Sequence, residues 1–154
     1  MPKKITIGRK DKADLPDLKL KNIDLKVDTG AYTSAIHCHR IEVREEEGRE
    51  VLHFTLLDPT HKKYDNCEFT TDRFREKSIR SSSGVAERRY IIETRIRVFG
   101  QTSDIEFSLS ERGEMRFPIL LGRKFLMGKF VVDTALYNLS YKEKVKKIRS
   151  RKKL

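Results

Sequence analysis

Apolar and polar residues alternate along much of this chain with the period of two that marks a strand buried on one face. Ile23, Leu25 and Val27 alternate with Asp24 and Lys26, and the run ends at Asp28. Residues 41–44 start a second strand, residues 45–50 around Gly48 make an exposed turn, and the apolar stretch 51–57 follows, so a hairpin is predicted. Asp58-Pro59-Thr60-His61 closes it, because proline lacks the ladder donor and aspartate favours turns. Residues 67–74 form a weaker strand candidate. The pattern is clearest over 90–99, where Ile92, Thr94, Ile96 and Val98 face one way and Glu93, Arg95 and Arg97 the other. Gly100-Gln101 then turns the chain into Ile105, Phe107 and Leu109. Residues 118–121 are a short apolar strand, 123–127 one helical turn before Gly128, and 130–133 a strand again. Residues 142–149 could form a short helix with few apolar positions. Many short strands, frequent turns and almost no long helical period predict an all-β barrel or sandwich.

Composition narrows the class. The chain has 154 residues, a length that suits one domain with a single core. It holds no apolar run long enough for a membrane-spanning helix, and Met1-Pro2-Lys3-Lys4 leads into no signal-like stretch. Two cysteines, Cys38 and Cys67, make no disulfide framework, so a reduced, cytoplasmic protein is expected. The net charge of +11 is uneven: residues 1–12 carry +4, residues 142–154 carry +7, and residues 13–141 are neutral. This predicts a basic N-terminal arm (1–12), a folded domain (13–141) and a basic C-terminal tail (142–154). The tail suits weak RNA or ribosome contact by counterion release, or simple solvation. No aromatic residue interleaves with its charges, so it lacks the stacking platform of single-strand binders.

The informative chemistry lies in Val27-Asp28-Thr29-Gly30-Ala31. A carboxylate where a buried strand ends is held yet reachable, and Gly30 lets the backbone turn tightly beside a substrate. Thr29 can lock the loop through its hydroxyl, and Thr33 or Ser34 can donate hydrogen bonds to it. As a four-letter string the motif is unspecific. Some ninety residues later, however, come Ile119-Leu120-Leu121 and then Gly122-Arg123, with the small-residue tip Arg80-Ser81-Ser82-Ser83-Gly84 lying between.

Together these segments resemble the aspartic proteases in their single-domain, retroviral form, over about residues 23–132. The resemblance implies a closed, acid-protease-like (retropepsin) β-barrel with a flap hairpin and one short helix. It implies catalytic roles for Asp28, Thr29 and Gly30, substrate contacts for Ala31, Arg80, Ser81, Ser82, Ser83 and Gly84, and structural roles for Gly122 and Arg123. A closer likeness is to retropepsin-like bacterial proteins labelled ATP-dependent zinc proteases, carried by Lys26–Ala31, Thr33-Ser34-Ala35, residues 80–84, Arg112 with Met115, and residues 118–123. That family is linked with an ATP-grasp ligase that adds glutamates to a ribosomal protein, which implies a peptidase in glutamate-tail modification. One position departs from the retroviral pattern. The acid that there pairs with the Gly-Arg arginine is replaced by Tyr32, which leaves the partner of Arg123 open.

Two carboxylates are needed for such chemistry, and the chain has one Asp-Thr-Gly. A homodimer supplying Asp28 twice is the consistent solution. The rival, Asp133-Thr134-Ala135 as an internal second half, lacks the glycine. No cofactor is expected: the sequence has no HExxH, CxxC or Gly-rich phosphate loop. His37, Cys38, His39, His53, His61 and Cys67 read as ordinary side chains rather than as a zinc set. Arg80, Arg88, Arg89, Arg112 and Arg116 suit an acidic peptide substrate, or are charges paired with Glu87, Glu111 and Glu114. The alternatives to a peptidase are a non-catalytic module docking on ribosomal or other RNA through the tail, and a metalloprotease.

Overall fold

A computed structural model describes residues 3–80, 83–111 and 116–152. In chain order it places β1 (Ile5–Ile7), β2 (Lys10–Leu15), a 3-10 turn (Pro16–Leu18), β3 (Leu20–Val27), β4 (Ser34–Glu46) and β5 (Arg49–Leu56). There follow β6 (Glu68–Thr71), β7 (Phe74–Arg80), β8 (Ala86–Val98), β9 (Gln101–Ser110), β10 (Ile119–Leu121), α1 (Arg123–Leu126), β11 (Phe130–Val132) and α2 (Leu139–Lys152). None of these helices is long and apolar enough to cross a membrane.

The all-β architecture agrees with the sequence reading, with one correction. Six strands run in the order β10-β3-β2-β8-β9-β4, and β4 returns to β10. The β2–β8 joint rests on one registered pair, Asp14 with Arg97, so the sheet is a ring rather than a closed barrel. β2 is short, and its pairing with β3 shifts register between Ala13 and Leu15, at the residue that meets Arg97. The predicted alternation fills the ring, with Ile23, Leu25, Ile36, Ile96, Phe107, Ile119 and Leu121 all buried. Each such side chain contributes roughly 1.5–3 kcal/mol by leaving water. β5 and β6 extend the sheet from β4, and β7 pairs with β8 as a hairpin. The single strand expected over 67–74 is in fact two, β6 and β7, which run on different neighbours.

β1 and β2 escape the sequence pattern, whereas the helix expected over 142–149 is present and longer, as α2. β2 points Asp11, Ala13 and Leu15 inward, and a charged residue at an inward position hides the alternation. Asp11 is buried because it caps α2 from 128 or more residues away. Its carboxylate accepts the backbone N–H groups of Ser140 (2.8 Å), Tyr141 (3.0 Å) and Lys12 (2.8 Å). Burial pushes this carboxyl up, while those N–H donors favour the ionised form. α2 has no apolar stripe of its own. It is held instead by the cap, by Phe99 N–H donating to Ser140 Oγ (2.8 Å), and by Lys144 Nζ on Asp14 (2.9 Å) and Asn22 (2.8 Å).

A buried histidine ties the other end of the sheet. His53 on β5 lies with Nδ1 2.8 Å from Glu68 and Nε2 2.9 Å from Glu46, so one imidazole bridges β6 and β4. The Glu68 hydrogen bond, with that of Glu46, raises its pKa against the effect of burial.

Two outcomes follow. Asp11→Ala leaves the Ser140 and Tyr141 N–H groups without their acceptor and is expected to cost about 1–3 kcal/mol, read by urea denaturation. Amide exchange should speed up in α2 first. His53 is protonated more readily when folded than unfolded, so its contribution is complete below the ordinary histidine value and is lost as pH rises through the folded one. Exchange protection of β5 and β6 should therefore fall as pH rises beyond about 6.5, and His53→Gln should remove that dependence.

Candidate active site

β3 carries Asp28 to the end of its ladder. Val27 N–H donates to the Arg9 carbonyl (2.9 Å) and Asp28 N–H to the Leu121 carbonyl (2.9 Å), after which the chain turns. Gly30 N–H donates to Asp28 Oδ1 at 3.0 Å and Ala31 N–H to the Asp28 carbonyl at 3.2 Å, an aspartate turn built by the motif itself. Asp28 and Ala31 are half-buried, while Thr29 and Gly30 are exposed. The carboxylate is thus held by its own loop and still reachable.

The Gly122-Arg123 segment locks that loop from the other side. Gly122 N–H donates to Ser34 Oγ (3.0 Å), Arg123 N–H to the Ala31 carbonyl (2.8 Å) and Lys124 N–H to the Tyr32 carbonyl (2.9 Å). Gly122 lies so close that an added Cβ would stand 2.6 Å from the Tyr32 carbonyl oxygen. The open question about Arg123 has an answer: its Nη1 donates to the Thr29 carbonyl at 2.8 Å, with the guanidinium 5.9 Å from the Tyr32 ring centroid. A backbone carbonyl and an aromatic ring stand where the retroviral pattern has an acid. The hydroxyls of Thr33 and Ser34 accept hydrogen bonds, from Lys77 Nζ and from Gly122 N–H.

Over this loop lies the β7–β8 hairpin, in register from Phe74 with Ile92 to Arg80 with Ala86. Its stem reaches the loop through Lys77, whose Nζ is 3.4 Å from Thr33 Oγ1 and 5.4 Å from the centre of the Tyr32 ring. Arg75 from the same strand and Lys124 from α1 share Glu106, at 2.9 and 2.8 Å, which ties hairpin, β9 and α1 together. Those two cations hold the Glu106 carboxyl down at about 2.

The structure brings Asp28, Thr29, Gly30, Ala31, Gly122 and Arg123 into one interlocked unit. Arg80 sits exposed at the end of β7, and Ser83 and Gly84 belong to the exposed hairpin turn, with Gly84 at a φ of 82°. Ser81, Ser82, Arg112 and Met115 lie outside the described residues. Of the other arginines, Arg89 is engaged by Glu87 at 2.9 Å, and Arg88 is 3.8 Å from Glu76. Lys77 is the cation that sequence reasoning missed. Its signal is cross-strand register: it lies directly opposite Arg89, but only once the pairing of β7 with β8 is fixed.

Among the described residues no group of three or more His, Cys, Asp or Glu side chains is arranged to hold a metal. His37 contacts Asp58 at 2.8 Å, His39 packs edge-on to Tyr64, and His53 is bound to Glu46 and Glu68. Cys38 is buried in the core, which pushes its thiol up, and neither it nor Cys67 is in a disulfide. Asp133 turns its carboxylate onto its own loop, accepting the Ala135 N–H at 3.0 Å.

The lock predicts a sharp intolerance. Gly122→Ala forces the Tyr32–Thr33 backbone away and is expected to destabilise by about 1–3 kcal/mol, visible as a lowered melting temperature. Gly48→Ala tests the contrast, because no atom lies within 4 Å of its Cβ position and its φ of 76° supplies the only strain.

Comparison with known proteins adds to this geometry. A Desulfotalea psychrophila protein named "Probable alpha-L-glutamate ligase" is 34% identical over 132 residues, 84% of this chain and 28% of that protein. A Shewanella pealeana protein of the same name is 34% identical over 133 residues, again 84% of this chain and 28% of its own length. The chain therefore spans little more than a quarter of the curated relatives it matches. Among solved structures, a Legionella pneumophila protein of unknown function superposes with a TM-score of 0.66 at 25% identity, covering 90% of this chain and 99% of that one. The profile of the RimB-like family matches residues 6–143, from β1 through the Asp28 loop and the Gly122-Arg123 lock to the first turn of α2, and the chain belongs to that family, described as "Retropepsin-like aspartic endopeptidase RimB".

Proposed function

We propose that this chain is an aspartic peptidase that works as a homodimer in the cytoplasm, each copy contributing Asp28 to one dyad. The observation that carries the proposal is the Asp28 loop itself: a half-buried carboxylate at a strand end, held by Gly30 N–H and locked by Gly122 and Arg123 under a hairpin. Membership of the retropepsin-like family supports it. Two carboxylates about 3 Å apart cannot both ionise, so the pair shares one proton. The ionised partner removes a proton from water as the water attacks the peptide carbonyl, and the protonated partner donates to the oxygen on which charge develops. The segment 80–84 acts as the flap, and it and Ala31 contact substrate.

The substrate class we assign is an acidic peptide, such as a glutamate tail. Two things support this: the likeness to part of proteins named as glutamate ligases, and Lys77 held above the Asp28 loop. Among the described residues Lys77 contacts a hydroxyl and an aromatic ring rather than a carboxylate, which leaves its charge available to a substrate carboxylate.

The test is hydrolysis of glutamate-extended and neutral unstructured peptides from pH 3 to 8, wild type beside Asp28→Asn. Activity should fall by at least 10³-fold in the variant, with the dimer intact by light scattering. Lys77→Met should lower kcat/KM for the glutamate peptide about tenfold while sparing a neutral one. Full activity in Asp28→Asn, or a strict monomer that still cleaves, would overturn the dyad. A folded dimer that cleaves nothing would favour the non-catalytic module.

A further inference from the structure

The two basic ends of the chain, 130 residues apart in sequence, form a single face. Arg9 N–H donates to the Leu136 carbonyl and Asn138 N–H to the Lys10 carbonyl, both at 2.9 Å. Gly8 is packed against Leu136 so closely that no side chain fits between them. This seam gathers three cations around one ring. The Arg9 guanidinium carbon, Lys10 Nζ and Lys142 Nζ lie 4.8, 5.3 and 4.2 Å from the centre of Tyr137, which is 41% exposed. Among the described residues no carboxylate lies within ion-pair distance of any of the three, although the buried Asp11 carboxylate interacts electrostatically with Lys142; Arg9 donates to the neutral carbonyls of Thr134 and Ala135. The ring quadrupole, together with the Asp11 carboxylate on the Lys142 side, offsets their mutual repulsion.

α2 extends the cluster. Its charges are neutralised on one side only, where Lys144 meets Asp14 and Lys147 meets Glu143. On the other side Lys142, Lys146 and Arg149 line an open groove with Tyr141 and Val145, and among the described residues none of the three is within ion-pair distance of a carboxylate. Along the axis these cations are spaced by roughly 6 and 4.5 Å. The tail by its sequence has no aromatic among its charges, but the fold supplies Tyr137 and Tyr141. The stripe lies mostly beyond the family match, which ends at residue 143.

We propose that this face binds the phosphodiester backbone of single-stranded or looped RNA. The lysine ammonium groups are compact point charges suited to phosphate oxygens, and the Arg149 guanidinium adds a fork that phosphate oxygens can also engage. An exposed tyrosine inside the cationic cluster matches the unstacked bases that RNA loops display. An acidic peptide has charge but nothing to place against that ring.

The test uses the full chain with a labelled RNA hairpin, a DNA duplex of equal length and a deca-glutamate peptide, by fluorescence anisotropy from 50 to 300 mM KCl. Five cations engaging phosphates give a log–log salt slope of about −3.5 for single-stranded RNA. Lys142→Gln/Lys146→Gln/Arg149→Gln should flatten that slope by about 2 and weaken binding at 100 mM salt at least tenfold, with the far-UV circular dichroism unchanged. Tyr137→Leu should cost at least fivefold. Asp28→Asn should bind as wild type, which separates this site from the dyad whether or not peptides are cleaved. An unchanged triple variant, no RNA binding at 50 mM salt, or equal binding of the DNA duplex or of deca-glutamate would overturn the proposal.

Discussion

The interlock between the loop after β3 and the segment after β10 is the constraint on which the rest of the site depends. Five hydrogen bonds cross it: Asp28 N–H to Leu121, Arg123 N–H to Ala31, Lys124 N–H to Tyr32, Gly122 N–H to Ser34 Oγ, and Arg123 Nη1 to Thr29. At about 0.5–1.5 kcal/mol net for each bond, they are comparable with a large share of the 5–15 kcal/mol that holds a domain folded. β10 makes this possible by pairing with β3 on one side and β4 on the other, so that the strand carrying the lock also closes the ring. A loop carboxylate that would otherwise move with solvent is thereby given one position.

The same short N-terminal segment serves two regions of the molecule. The Arg9 carbonyl accepts from Val27, the residue before Asp28, while the Arg9 side chain joins the cluster around Tyr137. Between the strand that positions the candidate catalytic acid and the basic face there is only one peptide unit. Charge is sorted accordingly. The body is neutral overall, with Arg75, Arg88 and Arg89 on β7 and β8 matched by glutamates, and the excess positive charge lies at the two ends of the chain.

Buried polar groups mark where pattern reading failed. Asp11 breaks the alternation of β2 because it holds the first N–H groups of a helix 128 residues downstream. The helix expected over 142–149 is present, but it lacks an apolar stripe, and what sequence could not show is that side-chain anchors on β2 and Phe99 hold it against the sheet. Lys77 was invisible for a related reason: its position over the Asp28 loop depends on hairpin register, which a polar strand without strict alternation does not announce.

By itself the sequence determined the strands with one apolar face, the turn at Asp28-Thr29-Gly30 and the Gly-Arg segment, because alternation and turn chemistry are local properties. It also determined that all the excess charge sits at the two ends. Only tertiary structure decided that Arg123 binds the Thr29 carbonyl in the absence of an acid at position 32, that the sheet is a ring jointed at one pair, and that both basic ends meet at Tyr137. Each of these is a contact between residues far apart in the chain, and its partner is chosen by how strands close around a core, which no local pattern encodes.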